Sequence, residues 1–228
     1  MKIVLTTMPT EGEFQEWVTH KYFRADKVNK YMPLGILSLA TNLPEGHEVK
    51  ILDPASQGWT INETIRVING IKPDILGLSV VSKRCYAMTK ILANTTCDYK
   101  IVGGPHATAH APEIRAQGAD AILQGPLADK EFNWCVVERP IGTIKCSTNI
   151  NEIKFPNRTL LDIDDYFPKT SVLFKANNRL PMFSSVGCFN RCNFCSVQSK
   201  TVHLKDPKEV VKEMKYLQTL NCHSIHIL

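Results

Sequence analysis

The chain has 228 residues, a net charge of +5, 43% hydrophobic residues and 21% charged residues. That balance excludes an intrinsically disordered chain. The length allows one large domain or two small ones but not a complete (β/α)8 barrel, which needs about 250 residues. The positive charge is not gathered into runs, so nucleic acid is not indicated as a partner. No stretch approaches the roughly 18 apolar residues of a membrane span, and the apolar start at Met1 is broken at Thr6, too early for a signal peptide. The expectation is a chain of the cytoplasm, where its eight cysteines would not form a disulfide framework.

Taken in order, Lys2–Thr6 reads as a first buried strand and 34–43 as a helix opened by Pro33. Residues 49–52 form a second strand. Thr60 and Glu63 make a capping box, after which Ile61, Ile65 and Ile68 fall on one helical face. A third strand spans 75–81, a helix 84–94, a fourth strand 100–102, a short helix 112–117, a fifth strand 120–123 and a closing helix 129–137. Five strands separated by helical patterns imply βαβ units and a parallel sheet. Ligands of such sheets lie beyond the carboxyl ends of the strands. Those ends carry Thr6-Thr7, the 53–58 loop, Ser79, the 103–106 loop and Gln124-Gly125. Read singly, each loop serves equally well as a tight turn that needs a small residue.

Together the loops carry more. Asp53-Pro54-Ala55-Ser56-Gln57-Gly58 resembles the Asp-x-His-x-x-Gly motif of cobalamin-binding domains, with Ala55 in place of the histidine. Ser79 matches the serine of that family after its third strand, and Gly103-Gly104 its glycine pair. The resemblance implies a flavodoxin-like (Rossmann-type) α/β domain with a five-stranded parallel sheet, and cobalamin contacts at Asp53, Gly58, Ser79, Gly103 and Gly104. Alanine cannot ligate cobalt, so residue 55 would supply no axial ligand. Gly103-Gly104-Pro105-His106-Ala107-Thr108 and Met32-Pro33-Leu34-Gly35 resemble the cobalamin domains attached to radical S-adenosylmethionine enzymes, which also commonly lack this histidine. One departure is Gly125-Pro126-Leu127-Ala128, where that subgroup has Gly-Glu-Gly-Glu. His106 and His110 are expected to be loop histidines with hydrogen-bonding roles rather than metal ligands.

Residues 139–180 read as a linker with short strands near 141–145 and 150–155, and Asp162-Ile163-Asp164-Asp165 as a solvated acidic turn. Residues 181–186 read as a strand. It leads into Cys188-Phe189-Asn190-Arg191-Cys192-Asn193-Phe194-Cys195. Thiolates are soft donors suited to iron–sulfur clusters and zinc. Three cysteines leave one iron of a cubane without a protein ligand, whereas structural zinc wants a fourth ligand, which His203 or Cys222 could supply. Cys85, Cys97, Cys135, Cys146 and Cys222 are expected to be packed thiols.

Cys-x3-Cys-x2-Cys after a strand and a glycine resembles the signature of the radical S-adenosylmethionine superfamily. The resemblance implies a [4Fe-4S] cluster on Cys188, Cys192 and Cys195, with S-adenosylmethionine on the open iron and Phe194 against its adenine. It also implies an electron donor such as flavodoxin or ferredoxin, and chemistry of the methyltransferase type. Asp206, Pro207 and Glu209 then start a helix with the apolar face Val210, Met214 and Leu217, and a second strand begins at Ser224. The expected division is a cobalamin-binding-like domain at 1–138, a linker at 139–180, and the start of a radical S-adenosylmethionine partial (β/α) barrel at 181–228. The remaining barrel would come from a second chain, or the protein would be a non-catalytic cobalamin or iron–sulfur binder, or a truncated product.

Overall fold

The computed structural model describes residues 1–10, 31–167, 178–193, 195 and 201–228. Its main sheet is parallel and runs in the order β2-β1-β3-β4-β5-β6. The strands are β1 (Lys2–Thr6), β2 (Glu48–Leu52), β3 (Ile75–Ser79), β4 (Tyr99–Gly103), β5 (Ala121–Gln124) and β6 (Gly142–Lys145). The intervening helices are α1 (Leu34–Asn42), α2 (Pro54–Gln57), α3 (Ile61–Ile71), α4 (Cys85–Asn94), α5 (Pro105–Ala109), α6 (Ala111–Ala116) and α7 (Asp129–Glu138). β1 and β3 are buried on both faces, which is why they read as continuous apolar runs rather than as alternation.

Neighbouring side chains along a strand point to opposite faces. Val4, Leu76, Leu78, Val102 and Ile122 therefore pack with Ile61, Ile68, Met88, Ile91 and Ile114 on one side. On the other, Ile3, Leu5, Ile75, Ile101 and Leu123 pack with Ile36, Phe132, Cys135 and Val136. The capping box of α3 forms as its sequence requires: Glu63 N donates to Thr60 Oγ1 at 3.1 Å, and Thr60 N to Glu63 Oε2 at 2.8 Å. At the start of α7 the buried Asp129 accepts from Ser38 Oγ (2.6 Å) and Asn42 Nδ2 (3.1 Å), tying α7 to α1. Burial pushes the Asp129 carboxyl above its usual range.

Several expectations are corrected. The sheet has six strands rather than five, because Gly142–Lys145 pairs with β5 along its whole length. Residues 150–155 hold no strand; Ile150–Glu152 is a single 3-10 turn capped by Asn149. The segment 181–186 is not one strand. β7 (Arg179–Met182) and β8 (Ser185–Val186) belong to different sheets and break at Phe183-Ser184.

β7 pairs in parallel with β10 (Ser224–Ile227), and α8 (Pro207–Thr219) lies between them in the chain, making a βαβ unit. Asp206 caps α8 by accepting from Lys208 N at 2.8 Å. Glu209 does not complete a capping box and instead pairs with Lys212. β8 pairs antiparallel with β9 (His203–Leu204), so the cysteine segment is an excursion from a short two-stranded stem. Leu180, Met182 and Leu217 of this unit share a core with Met32, Leu37 and Tyr166. No described helix is long and apolar enough to cross a membrane.

Candidate functional site

The sheet order reverses direction between β1 and β3, since β2 lies on one side of β1 and β3 to β6 on the other. In doubly wound sheets the ligand crevice opens at such a reversal, outside the carboxyl ends of the strands. Here those ends present Thr6 and Thr7 after β1, Ser79 and Val80 after β3, and Gly103 and Gly104 after β4.

The β3–β4 side of the crevice is tightly built. Val80 N donates to Gly103 O at 3.0 Å, and His106 N donates to Val80 O at 3.1 Å. This turn requires glycine at 104. Its φ is +98° with ψ −179°, and a Cβ there would stand 2.8 Å from Val80 O and 2.9 Å from Val80 N. Gly103 is different: a Cβ there would meet Leu123 Cβ at an ordinary 3.7 Å.

Asp53 takes a structural part. One carboxylate oxygen accepts from Thr7 Oγ1 (2.5 Å) and the other from Tyr166 OH (2.7 Å), and the residue is buried. It thus holds the end of β1 in place and engages the segment after the sheet. Burial and the neighbouring Asp53 carboxylate hold the Tyr166 phenol protonated, well above its usual range. Ala55 lies in α2 and Gly58 ends it, with φ +69° and its N–H donating to Pro54 O. The 53–58 loop follows β2, one strand away from the β1–β3 reversal.

His106 lies on the short helix α5 rather than in a loop. It is 5% exposed, its Nδ1 is 3.2 Å from Ser82 Oγ, and its Nε2 is buried without a partner. Burial, reinforced by His110, pushes its pKa below the ordinary range, so the ring is neutral at pH 7. The His110 ring stacks on it at 4.6 Å between centroids. After β5, Gly125 N donates to Thr108 Oγ1 at 3.2 Å, which closes the altered loop against α5.

The cysteine segment is less assembled. Cys188 is half-buried, Cys192 and Cys195 are exposed, and Cys195 N donates to Cys192 O at 3.0 Å across one turn. Among the described residues no three ligating side chains converge on a point that could hold a metal. Phe194 lies outside the described residues. Of the two candidate fourth zinc ligands, Cys222 is buried in the core with Leu217 and its thiol donates to Ser224 O, while His203 is exposed on β9. Burial raises the Cys135 thiol to about 11 and the Cys146 thiol to about 12, as befits packed rather than reactive groups.

Residues 24–131 match the family model of the B12 binding domain. The chain is 28% identical over 226 residues to an uncharacterized methyltransferase of Pyrococcus horikoshii, covering 86% of this chain and 45% of that protein. It is 26% identical over 200 residues to an uncharacterized methyltransferase of Synechocystis sp., covering 82% of this chain and 34% of that protein. The chain thus spans less than half the length of these curated relatives. The chain is similar to the B12 binding domain over residues 24–131 and, over most of its length, to two relatives named as methyltransferases.

Sequence reasoning missed the Tyr166–Asp53 bond, which joins residues 113 positions apart. Only the polar pair Thr6-Thr7 at the end of an apolar strand signalled that something binds there.

Proposed function

We propose that this chain is the cobalamin-binding and cysteine-loop portion of a cobalamin-dependent radical S-adenosylmethionine protein of the methyltransferase type. The observation that carries the cobalamin part is the crevice at the β1, β3 and β4 ends, whose β3 and β4 sides lie within the matched 24–131 segment. Its residues fit such a ligand: the Gly104 turn keeps side chains away from the Val80 backbone, and His106 Nε2 is a buried polar atom without a partner. Ser79, Gly103, Gly104 and His106 would hold the group, and Ala55 would leave the cobalt without a ligand from that position. When bound, cobalamin supplies methyl transfer. The chain's own residues bind and orient it, with Thr7, Asp53 and Tyr166 fixing the loop at the edge of the crevice.

For the [4Fe-4S] part the support is the donor set, three thiols spaced x3 and x2 on an excursion from a fixed stem. Among the described residues the thiols do not converge on one point. That separation favours a second reading, a cobalamin-holding protein without a cluster.

One experiment separates the two. The chain is reconstituted anaerobically with iron and sulfide, and bound iron, reduced-state EPR and 5′-deoxyadenosine formation are measured for wild type and for Cys188→Ser, Cys192→Ser and Cys195→Ser. The proposal expects iron bound by wild type and lost in each variant. Unchanged iron in all three variants would overturn the cluster assignment and leave the cobalamin-only reading. The proposal also implies an electron donor of the flavodoxin or ferredoxin class and, for turnover, the rest of a barrel.

A further inference from the structure

Three charged residues from three different segments meet in the interior beside the stem of the cysteine excursion. Arg158 is fully buried, Glu213 is 1% exposed and Lys205 is 8% exposed. Arg158 Nη2 donates to Glu213 Oε1 at 2.5 Å, and Lys205 Nζ donates to Glu213 Oε2 at 2.7 Å. Two cations therefore share one carboxylate. Arg158 spends further donors on the backbone: Nη1 to Pro156 O at 2.6 Å and Nη2 to Pro181 O at 2.9 Å. Its own N–H donates to Tyr216 OH on α8 at 3.1 Å.

The placement of the three residues matters more than their charge. Lys205 directly follows β9, and its N–H donates to Ser184 O, the residue before β8, at 3.0 Å. It is the base of the stem. Arg158 belongs to the connecting segment that, eight residues later, sends Tyr166 to Asp53. Pro181 belongs to β7, and Glu213 to α8. Buried ion pairs lose much of their attraction to desolvation, so such a cluster is poor evidence for stability and better attested as a device that fixes register. Apolar side chains would have filled the space without constraining the arms of the stem so narrowly.

We infer that Arg158, Glu213 and Lys205 are positioning residues for the cysteine excursion: they pin its stem to the connecting segment that also braces the crevice. The inference concerns the stem itself and is read without iron, so its failure is distinct from failure of the cluster assignment.

The test is residue-resolved amide hydrogen exchange on the full chain as purified, with Lys205→Met. This variant leaves Arg158 and Glu213 as a balanced pair, so the core is retained. The expected result is exchange at least about tenfold faster at the amide of position 205 and in β8 and β9, equivalent to about 1.4 kcal/mol less protection, together with faster alkylation of the half-buried Cys188. Exchange in β1, β3 and β4 should stay within about twofold of wild type. Lys205→Gln, which also removes the charge, should act alike and serves if the first variant folds poorly. Stem exchange and Cys188 alkylation unchanged in a folded variant would overturn the inference. Faster exchange everywhere, in the sheet as much as in the stem, would also overturn it, because the cluster would then be a general stabiliser.

Discussion

Replacing Gly104 by alanine is the sharpest perturbation of the crevice. Its backbone, at φ +98° and ψ −179°, occupies a region used essentially by glycine alone, which costs a side chain about 1–3 kcal/mol. The added Cβ would also press on Val80 O and N at 2.8 and 2.9 Å. Both are backbone atoms, and both are committed: Val80 N donates to Gly103 O, and Val80 O accepts from His106 N. Relief therefore means moving β3 from β4 where the crevice is built, an overpacking cost of about 1–3 kcal/mol. The total is about 4 kcal/mol, or roughly 8–16 °C in Tm for a chain of this size. Gly103→Ala is the internal control: its Cβ would meet only Leu123 Cβ, at 3.7 Å, so its cost should stay below about 1 kcal/mol. Urea denaturation of wild type and both variants reads the difference. Equal destabilisation by the two substitutions would refute the close-approach argument.

Other outcomes follow from the same contacts. Tyr166→Phe should cost about 2 kcal/mol in denaturant titration, since a buried carboxylate oxygen of Asp53 loses its donor. It should also raise the amide exchange rate of the 53–58 loop. Thr60→Ala removes the cap of α3 and should cost about 1 kcal/mol in the same assay. Asp129 gives a pH signature. Its folded pKa is raised, so its protonated form favours the folded state. The stability contributed by Asp129 should therefore be lost as pH rises from about 4, the unfolded value, through the folded one. Melting curves of wild type and Asp129→Asn at pH 4 and pH 7 check this: the wild type's standing relative to the variant should worsen at pH 7.

What the sequence disclosed and what it hid divide along contact range. β1 and β3 were legible because strands buried on both faces are apolar throughout. The cap of α3 was legible because its donor and acceptor lie three residues apart. Gly142–Lys145 was read as a linker strand because its exposure alternates and nothing local says which sheet it joins. Residues 181–186 looked like one strand because the break at Phe183-Ser184 comes from the partners, β10 for one half and β9 for the other. At the site, Gly103 and Gly104 were both flagged, yet only Gly104 is held by a backbone that excludes a side chain. The loop around Asp53 gave no sign that its two oxygens accept from Thr7 and Tyr166, because both partners are remote in sequence. Glu213 lies among the apolar residues of α8 with no local hint that Arg158 and Lys205 would bury it.

The central claim is that the crevice at the β1, β3 and β4 ends holds cobalamin. The direct measurement is equilibrium titration of the folded chain with hydroxocobalamin, following absorbance and free ligand, for wild type and for His106→Ala. Saturable binding at one cobalamin per chain, weakened in the His106 variant while its folded spectrum is unchanged, is the predicted result. Absence of saturable binding to a chain shown to be folded would contradict the account.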